Sequence, residues 1–354
     1  MKEAIFHFPT DGVPCDCRQI KSGHIHQTYL ITTDTGARYI LQWINQYVFP
    51  NVNAIMNNMR AISAYLQQQK GKTPMISYMF TVEGKTYYDD GQGGAWRAYR
   101  YVDNSMCLQR PETLEDFYEC ARAFGHFQYA LNGFPAETLE ETIPNFHNTV
   151  DRYRQFREAL AEDAKGRRSE VGHEIAFLLQ REQRACQLHH MMEQGLLPVR
   201  ATHNDTKINN VLMNQDTRKA ICVIDLDTVM PGLSVYDFGD AIRFGASTAA
   251  EDERDLSKVW LDLDLFRIFV RGFCEACPSL TEEEIRMLPQ GAYTMTLECG
   301  MRFLTDYLNG DKYFSTDRPG QNLDRAHTQF KLIEDMERKW DEMKQIVREE
   351  TEAQ

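Results

Sequence analysis

Residues 203–210 place three polar side chains at spacings suited to handling a phosphate group. Asp205, Lys207 and Asn210 stand at relative positions 0, +2 and +5, and two short apolar stretches follow before Asp225. Phosphoryl transfer mainly requires that a nucleophile, a phosphate and Mg²⁺ are held in line while developing charge is compensated. Asp205 is suited to accepting a hydroxyl proton and Lys207 to facing the phosphate, whereas Asn210 and Asp225 offer the hard oxygen atoms that Mg²⁺ prefers. Each residue type alone is common, but their joint order predicts a metal-phosphate site.

The residues of this stretch resemble the motif of the aminoglycoside phosphotransferase and choline kinase family, which consists of small-molecule kinases with a protein-kinase-like fold. The motif residues are His203, Asp205, Lys207, Asn210, Ile224, Asp225 and Asp227. Further segments are similar to the N-acetylhexosamine 1-kinases within that family. These segments are residues 22–25, 41–45, 203–210, 223–232, 236–246 and 298–307.

The resemblance implies both a fold and a reaction. The implied fold is α+β and bilobal, with a small antiparallel-sheet N-lobe and a larger, mainly helical C-lobe. The implied reaction uses ATP and Mg²⁺ to phosphorylate the anomeric hydroxyl of N-acetylglucosamine or N-acetylgalactosamine, which gives the sugar 1-phosphate and ADP. Asp205 would be the base toward that hydroxyl, and Asn210 and Asp225 would be the magnesium ligands.

Two other interpretations stay open. The first is a kinase for another small alcohol, such as an aminoglycoside, choline or a different sugar, because the acidic balance of the chain would suit a cationic substrate. The second is a nucleotide-binding regulator that keeps the fold without turnover. Such a regulator is expected to lack the base or a metal ligand, so the presence of Asp205, Asn210 and Asp225 favours catalysis.

The nucleotide contacts are predicted from their places in the N-lobe. Ser22, Gly23 and His24 precede the predicted strand at residues 27–33, where kinase-like folds place the loop that covers the ATP phosphates. Only one glycine is present, so an ordinary hairpin turn explains this segment equally well. Tyr101 and Val102 end the last N-lobe strand, where a hinge offers backbone N–H and C=O groups to the adenine edge.

Gln42 departs from the usual kinase pattern. It stands where protein kinases and many relatives carry a strand lysine that reaches the nucleotide phosphates. The helix that follows offers no glutamate as a partner and instead has Asn57, Asn58 and Arg60. Either Gln42 or Arg60 must therefore contact phosphate, or the cation must come from elsewhere in the chain.

A sugar pocket needs several hydroxyl partners, because an unpaired buried polar group costs about 1–3 kcal/mol. The candidates for this role are Arg243, Phe244, Arg302 and Tyr313. Two further carboxylates stand near the motif. Asp227 is either a second metal contact or a structural acceptor, and Asp237 is expected to hold the backbone of the catalytic loop.

Composition excludes several other classes of protein. The chain has 39 Lys and Arg against 52 Asp and Glu, a formal net charge of −13, so nucleic acid and anionic membranes are unfavourable partners. Its apolar stretches are shorter than a membrane span requires, and the first residues lack the apolar core of a secretory signal. We therefore expect a cytoplasmic protein with reduced thiols. The sequence does not predict its oligomeric state.

Hydrophobic periodicity predicts the elements that position these residues. Strands are predicted at residues 27–33, 38–44, 76–82, 86–88 and 95–102. Helices are predicted at residues 52–69, 148–160, 170–194 and 261–274, with others after Thr113, Thr281 and residue 323. The change from strands to helices places an N-lobe at residues 1–102 and a C-lobe at residues 103–354.

Overall fold

The computed structural model describes residues 2–20, 25–69 and 73–352 of the chain. The strands are β1 (Pro14–Ile20), β2 (Gln27–Thr33), β3 (Arg38–Ile44), β4 (Tyr88–Asp89), β5 (Ala95–Arg100), β6 (Ser105–Met106), β7 (Arg200–Thr202), β8 (Val211–Asn214), β9 (Ala220–Val223) and β10 (Met230–Gly232). The helices are α1 (Val52–Gln68), α2 (Leu114–Ala130), α3 (Thr149–Glu162), α4 (Gly172–Ala185), α5 (Gln187–Glu193), α6 (Ser234–Gly245), α7 (Leu263–Ala276), α8 (Glu282–Arg286), α9 (Leu288–Asn309), α10 (Gln321–Arg338) and α11 (Trp340–Glu352). The predicted bilobal fold is confirmed: a small antiparallel sheet is followed by a mainly helical part.

The first sheet is antiparallel with the order β1-β2-β3-β5-β4. Its β2–β3 hairpin has the predicted bounds, and the backbone N–H of Gly36 closes the turn on the carbonyl of Thr33 at 2.9 Å. Gly36 has a φ of 82°, a conformation that glycine adopts without steric cost. The register places Gln42 of β3 opposite Arg97 of β5.

The prediction of a strand at residues 76–82 is wrong. Only an isolated bridge forms there, between Tyr78 and Tyr99. The backbone N–H groups of the segment bond to different parts of the chain, since Met79 donates to Ala98, whereas Val82 donates to His7. With its partners divided in this way, the extended segment builds no continuous ladder.

The capped helix starts of the C-lobe are confirmed. Thr113 and Thr281 each form a capping box, which satisfies free N–H groups at the first turns of α2 and α8. The helix predicted at residues 170–194 is divided near Cys186 into α4 and α5. The limits of the two predicted lobes stay a prediction, although β5 ends at Arg100 and β6 pairs with β8 of the second part.

Helix α1 of the N-terminal part does not stand apart from the helical part. Its buried residues Ile55, Met59 and Ile62 belong to the same apolar core as the C-lobe helices, whereas one face of the first sheet has a small core of its own. The two parts are therefore joined by shared packing. None of the helices in the described ranges combines the length and apolar character required to cross a lipid bilayer.

Two buried helices, α6 and α9, cross at a pair of glycines and were missed by the sequence analysis. A methyl group on Gly239 would lie 2.2 Å from the carbonyl oxygen of Gly291, and one on Gly291 would lie 2.2 Å from that of Val235. This close approach sets the position of α6 and therefore of the cleft residues that it carries.

We predict that Gly239→Ala lowers the free energy of unfolding by about 1–3 kcal/mol, because the added methyl overpacks the crossing of the two helices. Gly172→Ala is the control, since no atom lies within 4 Å of the added carbon and Gly172 is also a helix residue, the first of α4. Urea denaturation of both variants measures the difference. Equal stabilities would contradict the proposed role of the glycine contact.

Candidate active site

A cleft of about 480 Å³ is lined by residues from both the first sheet and the helical part. The structure brings together there most of the residues predicted from the sequence, which are Gln42, Tyr101, Val102, Asp205, Lys207, Asn210, Asp225, Arg243, Arg302 and Tyr313. Phe244 is not among the lining residues and packs against the C-terminal core instead. Ser22, Gly23 and His24 lie outside the described residues, so their predicted role is not tested.

The loop between β7 and β8 carries the candidate base. The carboxylate of Asp205 lies 3.0 Å from the ammonium group of Lys207, and the side-chain amide of Asn210 donates to its other oxygen at 3.0 Å. Burial raises the pKa of Asp205, but the positive charge of Lys207 and the neighbouring His203 outweigh burial, and the net direction is downward. Asp205 is therefore held in its ionised, proton-accepting form.

Asp237 of α6 holds the backbone of this loop. Its carboxylate accepts the backbone N–H groups of His203 at 2.9 Å and Asn204 at 2.7 Å, and the side-chain amide of Gln128 at 2.6 Å. Asn204 has a φ of 64°, so the chain turns sharply just before Asp205. These contacts agree with the structural role predicted for Asp237.

Asp225 is a carboxylate without a partner among the described residues. It follows β9 in a left-handed conformation with a φ of 60°, and its carboxylate forms no hydrogen bond or ion pair with the described residues. Burial and the nearby charge of Asp227 raise its pKa. A carboxylate in this position suits a bound cation, because a cation would remove the cost of burying its charge.

Asn210 completes the oxygen atoms suited to a divalent ion. Its backbone carbonyl accepts the N–H of Ile224 at 2.9 Å, which fixes it beside the end of β9. Its amide nitrogen donates to Asp205, so its amide oxygen remains for a cation. The oxygen atoms of Asn210 and Asp225 are the hard ligands that Mg²⁺ selects, and the residues therefore fit the predicted ion.

The carboxylate of Asp227, unlike that of Asp225, is hydrogen-bonded to protein side chains. Both terminal nitrogens of Arg97 donate to its two oxygens, one of them at 2.8 Å, and Nε2 of His26 lies 2.5 Å from Oδ2. Burial raises the pKa of Asp227, but Arg97 and His26 reverse that effect and lower it strongly. Of the two roles left open for Asp227, this geometry favours the structural acceptor.

Arg97 is the cation that the sequence analysis missed. Its side chain is fully buried, and its Nε donates to Oε1 of Gln42 at 3.0 Å. Gln42 in turn donates to Thr28 at 3.3 Å, and Arg60 is exposed on α1. The one signal in the sequence was the position of Arg97 opposite Gln42, which becomes visible only once the strand register is known.

The segment after β5 connects this strand to β6 beside the cleft. The backbone N–H of Tyr101 donates to the carbonyl of Arg38 at 3.0 Å, and the carbonyl of Val102 accepts the hydroxyl of Ser105 at 2.6 Å. Both residues line the cleft. Their contact with adenine stays a prediction.

Arg302 also lines the cleft, where it is surrounded by aromatic rings. Its guanidinium carbon lies 5.0 Å from the ring centre of Phe146, 5.6 Å from that of Tyr313 and 5.4 Å from that of Phe314. No carboxylate in the described ranges forms an ion pair with Arg302, whereas Arg243 pairs with Asp240 and Glu251. Arg302 is thus a cation available to a ligand.

Asp306 fixes the loop that carries two of these aromatic rings. Its carboxylate accepts the backbone N–H groups of Lys312, Tyr313 and Phe314 at 2.9 to 3.0 Å. Asn322 of α10 also donates to it at 3.0 Å. The aromatic wall around Arg302 is therefore held by hydrogen bonds from the loop backbone as well as by packing.

Residues 16–264, more than half of the chain, match the model of a phosphotransferase enzyme family. The chain belongs to this family. The match includes the loop at residues 203–210 and Asp225, so the candidate site lies within the family region.

Solved structures share the fold over nearly the full length. An aminoglycoside phosphotransferase from Alicyclobacillus acidocaldarius is 14% identical with a TM-score of 0.66, and the alignment covers 99% of this chain and 96% of that one. A microcompartment-associated aminopropanol kinase is 17% identical with a TM-score of 0.64, and the alignment covers 96% of this chain and 97% of that one. Choline kinase from Cryptosporidium parvum is 14% identical with a TM-score of 0.58, and the alignment covers 94% of this chain and 91% of that one. At these identities the likeness establishes the fold alone.

We predict that Asp237→Asn lowers both turnover and stability. The amide offers one acceptor oxygen instead of two, so a buried N–H at the loop loses its partner at a cost of about 1–3 kcal/mol. The measurement combines urea denaturation with the rate of phosphoryl transfer.

Asp335→Asn is the matched control, because this buried carboxylate also accepts a backbone N–H, that of Leu261 at 2.8 Å, but does not line the cleft. It should lose stability and keep its turnover. If Asp237→Asn loses stability alone, the carboxylate has no part in positioning the catalytic loop.

Proposed function

We propose that this phosphotransferase moves the γ-phosphoryl group of ATP to the anomeric hydroxyl of N-acetylhexosamines, giving the sugar 1-phosphate and ADP. The observation that carries the proposal is the meeting of Asp205, Asn210 and Asp225 in one cleft. Asp205 is an ionised base paired with Lys207, and Asp225 is a carboxylate that has no hydrogen-bond donor within the described part of the chain.

Asp205 acts as the base toward the acceptor in this proposal. Its lowered pKa keeps the carboxylate ionised near neutral pH, so it can accept the hydroxyl proton as the oxygen attacks phosphorus. An anomeric hydroxyl is more acidic than an ordinary alcohol and therefore tolerates a weak base. Such a positioned base contributes roughly 10²–10⁴-fold to the rate.

Asn210 and Asp225 would hold Mg²⁺ in this scheme, and the bound ion would supply charge neutralisation at the nucleotide phosphates. Lys207 would face the transferring group, a role supported by its position in the same cleft beside Asp205. Tyr101 and Val102 present backbone groups for adenine. The division into an N-lobe at residues 1–102 and a C-lobe at residues 103–354 would then place the adenine contacts in the first lobe and the metal and acceptor contacts in the second.

Arg302 and Tyr313 are the proposed sugar contacts. An arginine without a carboxylate partner donates hydrogen bonds to the hydroxyl and amide oxygens of a neutral sugar, and the adjacent rings offer an apolar face. The same charge repels an ammonium group. Arg243 is held by Asp240 and Glu251, so we propose that it supports the pocket wall together with Phe244.

A second candidate is a kinase for an amine-bearing alcohol. One observation favours it: Oδ2 of Asp240, a buried residue that lines the cleft, accepts no hydrogen bond from the described residues. A cationic acceptor would satisfy this oxygen. Similar structures include proteins named as aminopropanol and choline kinases, which makes this alternative chemically concrete.

A substrate panel with ATP and Mg²⁺ separates the two candidates. We expect N-acetylglucosamine or N-acetylgalactosamine to be phosphorylated, with phosphorus coupling at C1 in the NMR spectrum of the product. Choline, aminopropanol and an aminoglycoside are the matched alternatives. Phosphorylation of amine-bearing alcohols alone would overturn the sugar proposal and leave the phosphotransferase activity intact.

We predict that Asp205→Asn lowers kcat by roughly 10²–10⁴-fold, because the amide cannot take the hydroxyl proton. Affinity for ADP, measured by calorimetry, should stay near that of the unmodified protein. Asp216→Asn is the control, since this carboxylate is exposed and bonds to Asn104 outside the cleft. Full kcat in Asp205→Asn would remove the assignment of the base.

A further inference from the structure

Arg97 connects the first sheet to the turn that follows β9. It projects from β5, is completely buried, and binds both oxygens of Asp227 through its two terminal nitrogens. Asp227 itself is 1% exposed. A bidentate arginine–carboxylate pair of this kind fixes orientation as well as distance, so the contact sets the position of the turn relative to the sheet.

Gln42 holds Arg97 from the neighbouring strand. Its side-chain oxygen accepts from Nε of Arg97 at 3.0 Å, while its amide nitrogen donates to Thr28 at 3.3 Å. Both polar ends of Gln42 are therefore engaged within the sheet. The side chain that stands in place of the expected strand lysine serves to orient an arginine one strand away.

His26 completes the set of donors around Asp227. The backbone N–H of Asn45 donates to Nδ1 of His26 at 3.1 Å, so in the neutral ring the proton lies on Nε2. Nε2 then donates to Oδ2 of Asp227 at 2.5 Å. Since Arg97 and His26 together occupy both oxygens of Asp227, no oxygen is left without a protein donor.

These contacts leave Asp225, two residues earlier, as the carboxylate available to a cation. Its side chain lies within 4.8 Å of the facing atoms of His26 and Asp227. The hydroxyl of Thr142 also donates to the backbone carbonyl of Asp227 at 2.7 Å, so the turn is held by side-chain and backbone bonds. The orientation of Asp225 thus depends on how firmly Asp227 is anchored.

We propose that Arg97 is a positioning residue: by anchoring Asp227 to the N-terminal sheet, it orients Asp225 for the Mg²⁺ that accompanies the nucleotide. Arg97 has no exposed surface and is not among the residues that line the cleft. Arg97 would thereby take over the role of the missing strand lysine indirectly, by holding the turn that follows β9. The inference rests on the proposed binding of nucleotide and Mg²⁺ but not on the identity of the acceptor.

The test compares ADP binding with and without Mg²⁺ in Arg97→Met by calorimetry. Because residues that orient metal ligands typically change metal affinity by about 10–100-fold, we expect the gain in ADP affinity on adding Mg²⁺ to fall by that factor. ADP affinity without metal should stay unchanged. A loss of metal-free affinity would instead indicate direct phosphate contact and overturn the proposal.

Arg97→Lys and Asp227→Asn guard against a variant that simply fails to fold. Lysine keeps the charge but cannot supply the paired bonds, so Arg97→Lys should retain part of the Mg²⁺ effect. In the double variant Arg97→Met, Asp227→Asn, the loss should not exceed that of Arg97→Met alone. A folded Arg97→Lys or Asp227→Asn protein with the full Mg²⁺ effect would contradict the inference.

Arg181→Met is the matched control, because Arg181 of α4 forms a similar bidentate pair with Glu337 at 2.8 and 2.9 Å away from the cleft. It should change stability and leave the Mg²⁺ effect on ADP binding intact. If the unmodified protein binds ADP no more tightly with Mg²⁺, the proposed cofactors are wrong. If it responds to Mg²⁺ but phosphorylates no hexosamine, only the acceptor proposal fails.

Discussion

The arrangement of the candidate site is governed by the cost of burying negative charge. Asp205, Asp225, Asp227 and Asp237 all lie close to the junction of the first sheet and the helical part, where burial raises the pKa of each carboxyl group. A buried carboxylate is unfavourable unless donors or cations face it. Each of the four carboxylates has a different set of partners in the structure. Chemically identical side chains therefore differ in pKa and in their proposed roles.

Backbone N–H groups satisfy Asp237, and a neighbouring ammonium group satisfies Asp205. Asp227 receives the guanidinium of Arg97 and one ring nitrogen of His26. Within the described ranges Asp225 alone of the four carboxylates forms no hydrogen bond or ion pair. The distribution of donors therefore separates a loop anchor, a base, a turn anchor and a candidate metal ligand within one short region.

Packing joins this region to the N-terminal part. The side chain of Asn58 on α1 donates to the carbonyl of Val229 at 3.0 Å, just after the turn that Arg97 holds. The helices α6 and α9, which carry Asp237 and Arg302, were not found from the sequence. Nearly all residues of α9 and most of α6 are buried, so their apolar residues do not mark one face, and periodicity cannot reveal such helices.

The sequence by itself determined the order of the polar loop, the hairpin, the capped helix starts and the lobed fold. These features depend on neighbouring residues and on the periodicity of hydrophobic residues within short segments. Most of the residues that the sequence predicted for the site meet in the cleft. Only the tertiary structure decided which partner each carboxylate receives. Arg97 and Asp227 are far apart in the chain, and their contact requires the strand register beside Gln42 and the shared core of the lobes. Local patterns carry no information about such pairings, because burial and distance arise only when separate segments pack together.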